Sequence, residues 1–228
     1  MQEFITIPFS LIANRDFGDK RVLVYASILF SDWDGKNIEE LVSYSRFSTR
    51  RDSGSVLHQY KILIQQLIQN QYLIKDETGI RCRQFCDSFG IIKYEEFERI
   101  LQARDKSVSC GFRINHSHIL LLLAHIRLWL VRQSNGHAFY SNLLTRISNS
   151  IGVSVRNITK SLKVLEELNI VYSQELPRYK DSSGRWHSNT RVFINMESDV
   201  PDYNWHNEAT SSIIEILKNI QNNTKEIV

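Results

Sequence analysis

The sequence predicts a mainly α-helical α+β protein with small β-hairpins, built from two modules that share one element order. Apolar residues recur at helical spacing in several segments, and two such groups are followed by a pair of short strand-like segments. Only three prolines and nine glycines occur in 228 residues, which argues against long disordered linkers. We therefore place one module at residues 1–90 and the other at residues 112–200.

The clearest pattern lies in the second module, between Ser141 and Tyr172. A first amphipathic segment runs into Gly152, a residue that adopts positive φ at little cost. Ser154 follows and is suited to cap a second helix by accepting from its free backbone N–H groups. The second helix is predicted over Val155–Leu168, with one apolar stripe formed by Ile158, Leu162, Leu165 and Leu168. Two helices joined by such a turn form a helix-turn-helix.

The other side of this second helix carries hydrogen-bond donors and cations, which suit base edges and phosphates. The alternative is an ordinary solvated helix face. Glu166 and Glu167 come only at the far end of the helix, away from its first two turns. The candidate residues are Ser154, Arg156, Asn157, Thr159, Lys160 and Lys163.

A β-hairpin is predicted directly after this helix. Residues 169–174 and 189–195 alternate as two strands, and the stretch between them is polar and includes Gly184. A basic hairpin beside a helix can reach the phosphate backbone or the minor groove. Its candidate contacts are Arg178, Lys180, Arg185 and His187.

This order of helix, glycine turn, capping serine, helix and hairpin, across residues 138–195, resembles the winged-helix DNA-binding superfamily. The resemblance implies that the helix Val155–Leu168 enters the major groove of double-stranded DNA. Arg156 and Asn157 are then the candidates for contacts to guanine and adenine. Thr159, Lys160 and Lys163 are expected to hold phosphates, and the hairpin is the wing.

The N-terminal module repeats the order with weaker signals. A strand at Phe4–Pro8 precedes helices predicted over 19–31, with Asp19 as the cap, over 38–44 and over 55–69. Strands at 72–75 and 80–85 form a hairpin whose acidic tip, Asp76 and Glu77, would repel phosphate. A second DNA contact is therefore predicted before and along the third helix, at Arg46, Thr49, Arg50, Arg51, Ser55, His58, Gln59 and Lys61.

Residues 91–111 are predicted to link the modules through a helix at 94–103. Phe112–Ile114 is expected to be a short strand, followed by an apolar helix over about 116–133. That helix is too short for a bilayer and contains His125 and Arg127, so a buried helix is expected. Residues 201–228 contain an apolar stripe at Ile213, Ile214, Leu217 and Ile220, which predicts a docking or dimerisation helix and makes a homodimer one alternative.

Several functional classes receive no support from the sequence. It has no phosphate-binding glycine loop, no Gly-x-Ser-x-Gly motif and no His-Glu-x-x-His motif, so we expect neither an enzyme nor a small-molecule substrate or cofactor. Cys82, Cys86, Cys110, His116 and His118 do not have the spacing of a common zinc site, and no metal is expected. The N-terminus lacks a signal-peptide pattern, and the odd cysteine count fits a reducing compartment, so a cytoplasmic location without membrane contact is expected.

The tandem arrangement is similar to that of plasmid and phage replication initiators. The opening Ile5-Thr6-Ile7-Pro8, followed by an apolar helix and a helix-turn-helix, also resembles replication organisers and related regulators from mobile elements of low-GC Gram-positive bacteria. The resemblance leaves replication initiation and transcription regulation as alternatives. A different class remains open as well, a non-catalytic winged-helix module that binds another protein or serves as a scaffold.

Overall fold

The computed structural model describes residues 4–31, 54–77, 79–83, 88–103, 112–132, 139–175, 179–180, 184–187 and 190–195. The predicted helix at 38–44, the predicted contacts Arg46, Thr49, Arg50, Arg51 and Arg178, and the tail at 201–228 lie outside these ranges. The backbone of Ser55, Lys180 and His187 is described, whereas their side chains are not.

The N-terminal elements follow the predicted order closely where they are described. The strand at Phe4–Pro8 and the hairpin are both present, and Leu73 pairs with Cys82 in an antiparallel register. Asp19, predicted as a helix cap, precedes the first helical residue by two positions, and its Oδ2 atom lies 3.0 Å from His118 Nε2. The elements are β1 (Phe4–Pro8), α1 (Phe9–Ala13), a 3-10 helix (Arg15–Phe17), α2 (Arg21–Ser31), α3 (Gly54–Gln69), β2 (Leu73–Asp76) and β3 (Gly79–Cys82).

The middle of the chain contains one strand that the sequence analysis missed. This strand, β4 (Phe89–Lys93), pairs antiparallel with β1 and is followed by α4 (Tyr94–Gln102) and α5 (His116–Arg132). Gly90 interrupts its apolar pattern, but the packing requires it, because a Cβ atom there would lie 2.2 Å from the backbone oxygen of Ala124 in α5. The strand predicted at Phe112–Ile114 is wrong: these residues do not have strand conformation, and Ile114 is buried against the core as a loop residue.

The C-terminal elements form a three-stranded antiparallel sheet beside three helices. The strand order is β5-β9-β6, with β5 and β6 on either side of β9. β5 was not predicted, and it includes Leu143 from the start of the first amphipathic segment. The elements are β5 (Phe139–Leu143), α6 (Leu144–Ile151), α7 (Val155–Glu167), β6 (Val171–Glu175), β7 (Tyr179–Lys180), β8 (Trp186–His187) and β9 (Thr190–Asn195).

Helix α5 lies at the centre of the hydrophobic core. Residues 119–124 are at most 1% exposed, and α5 packs against β4, α2 and α7. Because α2 and α7 come from the two halves of the sequence, one continuous core includes residues of both halves. The architecture is α+β, with helices packed around small antiparallel sheets. The division into domains at 1–90, 91–111 and 112–200 stays a prediction.

An aromatic cluster connects α5 to the three-stranded sheet. The Trp129 ring stacks on Tyr140 with centroids 5.9 Å apart, and Tyr140 in turn stacks on Phe193 at 5.6 Å. His125 is buried in this cluster, with its Nε2 atom 3.2 Å from the Tyr140 hydroxyl. Burial lowers the pKa of His125 to about 4, because the charged imidazolium would lose its hydration. His125 is therefore neutral in the folded protein at neutral pH.

This buried histidine predicts a loss of stability in mild acid. A histidine in the unfolded chain has a pKa of about 6.5, so the unfolded state binds a proton below that pH. In the folded state His125 binds this proton only near pH 4 and below. We expect the free energy of unfolding to fall by about 2 kcal/mol between pH 7.5 and pH 5 from this group alone. We would measure this decrease in the free energy of unfolding by urea denaturation of the wild type and of His125→Leu at both pH values. An equal acid-induced loss in the two proteins would contradict the assignment.

Candidate nucleic-acid interface

The turn before α7 has the geometry that the sequence predicted. Gly152 adopts φ 77° and ψ 20°, and its N–H donates to the carbonyl oxygen of Ser148 at 2.9 Å, which ends α6. Val153 is buried, and Ser154 is the N-cap of α7, where its Oγ accepts from the backbone N–H of Asn157 at 3.4 Å. The turn therefore fixes the direction in which α7 starts.

Helix α7 presents one face to the core and another to solvent. Its buried residues are Ile158, Ser161, Leu162, Val164 and Leu165. The predicted contact residues lie on the remaining surface: Ser154, Arg156, Thr159 and Lys163 are exposed, and Asn157 and Lys160 are half-buried. Within the described part of the chain, neither Arg156 nor Lys163 forms an ion pair with a carboxylate.

Two of the predicted contact residues are already engaged within the protein. The Thr159 hydroxyl donates to the backbone oxygen of Val155 at 3.0 Å, so its hydrogen already takes part in a hydrogen bond within the helix. The Lys160 Nζ atom lies over the Phe112 ring, 5.3 Å from the ring centroid, in a cation–π contact. This contact places the lysine side chain against Phe112, and it does not involve a carboxylate.

The far end of α7 is tied to the sheet through a carboxylate. Glu166 Oε1 accepts from the Ser173 hydroxyl at 2.6 Å, and Arg191 Nη1 lies 2.9 Å from the same hydroxyl oxygen. Because the first turn of α7 contains no acidic residue, negative charge is confined to its C-terminal end. Arg156 lies at the N-terminal, positive end of the helix dipole, and Lys160 and Lys163 follow along the helix before the two glutamates.

The predicted hairpin is present where the structure describes it. Strands β6 and β9 pair antiparallel, and the short strands β7 and β8 pair between them, with Lys180 opposite Trp186. Arg185 is exposed, and Trp186 is 50% exposed although it is a large aromatic residue. The hairpin after α7 therefore presents both a cation and an aromatic ring to solvent.

The second predicted contact, on α3, is described only in part. His58, Gln59 and Lys61 are exposed. The Gln59 side-chain oxygen accepts from Lys20 Nζ at 3.2 Å, which adds a cation that the sequence analysis did not include. At the tip of the β2–β3 hairpin, Asp76 is paired with Arg81 at 3.0 Å, so the local negative charge is smaller than the sequence suggested.

Two arginines that the sequence analysis did not single out hold the helix-turn-helix from both ends. Arg21 is buried and donates to four backbone oxygens, those of Leu11, Ile12, Gly18 and Ile151. Ile151 is the last residue of α6, so the Arg21 side chain stabilises the start of the turn. Arg99 in α4 donates to the backbone oxygen of Leu168, the C-cap of α7. No local pattern could reveal the contacts with Ile151 and Leu168, because these residues are 130 and 69 positions from Arg21 and Arg99.

Other kinds of site find no support in the described residues. These residues contain no group of three or more histidine, cysteine or acidic side chains that could hold a metal ion. Cys82 lies 3.9 Å from the backbone oxygen of Tyr25, and burial raises the pKa of its thiol to about 12. Of the helices described, none combines the length and apolar character that a membrane span requires.

No protein-family model, no curated protein and no solved structure matches the chain.

Proposed function

We propose that this chain is a sequence-specific double-stranded DNA-binding protein whose helix α7 enters the major groove. One observation carries the proposal. The core fixes one face of α7, and the opposite face exposes Arg156 and Lys163 without a carboxylate partner among the described residues. A helix with cations along its solvent-facing side, and no described carboxylate paired with them, suits a polyanion with readable base edges.

The proposed roles follow from position along the helix. Arg156 and Asn157 lie in the first turn, where a helix entering the groove comes nearest to the bases. Arg156 suits the O6 and N7 atoms of guanine, and Asn157 suits the N6 and N7 atoms of adenine. Lys160 and Lys163 lie further along and are assigned to phosphates, with Thr159 as a weaker contact because its hydroxyl hydrogen is already donated.

The surrounding elements support a winged-helix arrangement for the C-terminal half. Helix α5 precedes β5, α6 and α7, and the hairpin strands β6 and β9 close a sheet in the order β5-β9-β6. The hairpin is the proposed wing, with Arg178, Lys180, Arg185 and His187 near the flanking backbone. The segment from Arg46 to Lys61 is proposed as a second DNA contact, offset along the duplex.

We further propose a role in a plasmid, a phage or another mobile element, as a replication initiator or a transcriptional regulator. Two modules in one chain can read repeated DNA sequences, which suits an origin or an operator with repeats. A homodimer formed through residues 201–228 would recognise two paired half-sites in the DNA.

The double variant Arg156→Gln/Lys163→Gln is expected to weaken binding to duplex DNA between ten- and a hundredfold near 0.1 M salt. The slope of log K against log salt concentration should become shallower by about 0.9, because Lys163 is the phosphate contact that is lost and each such contact contributes about 0.9. Fluorescence anisotropy with labelled duplexes of random sequence, titrated at several salt concentrations, measures both quantities. Asn157→Ala should instead relax base preference at one position of a duplex selected from a random library.

The matched control is Arg81→Gln, which removes an exposed arginine from β3, outside the proposed surface. It should bind DNA like the wild type, and circular dichroism should show that all variants remain folded. Wild-type affinity and an unchanged salt slope in the double variant would remove α7 from the interface.

Exposed aromatic residues favour one second candidate, a protein-interaction module. Tyr172 on β6 is 42% exposed, and Trp186 on β8 is half exposed. A surface that binds protein through these rings does not require the cations of α7. Failure of the wild type to bind any duplex at low salt would favour this candidate over DNA binding.

A further inference from the structure

The turn between α6 and α7 is covered by an arginine from the N-terminal part of the chain. A Cβ atom built on Gly152 would lie 3.3 Å from the Cγ atom of Arg15, 3.4 Å from its Cδ atom and 3.8 Å from its Cβ atom. The whole aliphatic stem of Arg15 therefore lies over the turn. A side chain at position 152 would make a tight contact with this stem and would strain the backbone at φ 77°.

The charged end of this side chain faces solvent. Arg15 is an exposed residue although its stem packs on Gly152, so the guanidinium is the part that remains hydrated. Among the described carboxylates none forms an ion pair with it, and the Asp19 carboxylate lies against His118 instead. The guanidinium is thus available to an external anion.

Arg15 is also held in a fixed position relative to α7. The 3-10 helix that carries it is capped by Asn14, whose side chain accepts from the Asp16 N–H. Arg21 bonds the carbonyl oxygens of both Gly18 and Ile151, which connects the end of that 3-10 helix to the end of α6. The distance between Arg15 and the N-terminus of α7 is therefore set by hydrogen bonds, of which the one from Arg21 to Ile151 is buried.

We infer that Arg15 binds a DNA phosphate at the N-terminal edge of α7, so that both halves of the chain build a single contact surface. The inference rests on the proposed DNA-binding function. Arg15 lies over Gly152, two residues before the cap Ser154, and Arg156 is exposed one helical turn beyond that glycine. When the N-terminal half of α7 enters a groove, a cation beside the preceding turn comes next to the backbone that borders this groove.

Arg15→Gln tests the inference without disturbing the turn, since glutamine keeps the Cβ, Cγ and Cδ atoms that contact Gly152. We expect DNA affinity to fall about eightfold near 0.1 M salt and the salt slope to become shallower by about 0.9, the change for one phosphate contact. The loss should be equal on random and on selected duplexes, because a phosphate contact carries no base information. Arg15→Lys should recover most of the affinity, and Arg81→Gln is the control.

The outcomes separate this inference from the proposed function. Wild-type affinity and slope in Arg15→Gln, together with a loss in Arg156→Gln/Lys163→Gln, would overturn the role of Arg15 and leave α7 in the interface. Wild-type binding in both variants would overturn the DNA-binding proposal itself. A lower melting temperature in Arg15→Gln that Arg15→Lys shares, with the salt slope unchanged, would assign Arg15 to stability alone and also overturn the inference.

Discussion

Replacing Arg127 by methionine is expected to lower the free energy of unfolding by about 3–5 kcal/mol, because it leaves a buried carboxylate without its counter-charge. Arg127 in α5 donates from Nη2 to Glu96 Oε1 of α4 at 2.5 Å, and the two side chains are 4% and 0% exposed. The other carboxylate oxygen of Glu96 accepts from the backbone N–H of Lys93 at 3.0 Å. Glu96 cannot turn towards water without also giving up this helix cap.

Urea denaturation at pH 7 measures the effect, with Arg81→Met as the matched control. Arg81 forms the same kind of pair with Asp76, but its side chain is 66% exposed, so the control should lose no more than about 1 kcal/mol. The variants Glu96→Gln and Glu96→Gln/Arg127→Met complete a double-mutant cycle for this ion pair. The double variant should be more stable than the sum of the two single losses predicts, since it contains no unpaired charge. Additive losses would show that the two side chains do not stabilise each other.

The helix-turn-helix could be predicted because its signals are local. The positive φ of Gly152, the cap at Ser154 and the buried stripe of α7 each depend on residues only a few positions apart. The same holds for the β2–β3 hairpin, whose strands are separated by a short turn. Local patterns also placed the exposed cations Arg156 and Lys163 correctly on the surface of α7.

The missed strands depend on distant partners. Strand β4 pairs with β1, which lies more than 80 residues earlier in the chain. Gly90 interrupts the alternation of apolar and polar residues in β4, because the backbone there lies too close to Ala124 of α5 for a side chain. Strand β5 carries polar residues in its centre, and it pairs with β9, which is distant in sequence. Phe112–Ile114 showed the reverse error, since its apolar residues pack on the core as a loop rather than pair in a sheet.

The candidate site was predictable in composition but not in its internal contacts. Packing between separate elements places Lys160 over Phe112. It also brings Lys20 within hydrogen-bond distance of Gln59. Arg15 and Arg21 were missed for the same reason: each acts on the α6–α7 turn from more than a hundred residues away. A sequence shows which side chains carry charge, and tertiary structure decides which of them remain available.

Arg21→Met is expected to lower the free energy of unfolding by about 3–5 kcal/mol, through lost hydrogen bonds to buried acceptors. The side chain donates to Leu11 and Ile12 at the end of α1 and to Ile151 at the end of α6, at distances from 2.5 to 3.0 Å. These are carbonyl groups of last helical turns, which have no partner within their own helix. Their partial negative charge also balances the buried cation. Burial lowers the pKa of Arg21 to about 10, so the guanidinium remains charged at neutral pH.

Two comparisons test whether this geometry, rather than charge alone, is responsible. Arg21→Lys keeps the charge, but a single ammonium group cannot reach oxygens that belong to two helices, so it should recover only about half of the loss. Arg156→Met makes the methionine change at an exposed helical arginine and should stay within about 0.5 kcal/mol of the wild type. Hydrogen exchange should become faster in the amides of Gly152 and Asn157 in Arg21→Met, because the end of α6 is then released. Stability within 1 kcal/mol of the wild type, with unchanged exchange at the turn, would show that Arg21 does not hold the two helices together.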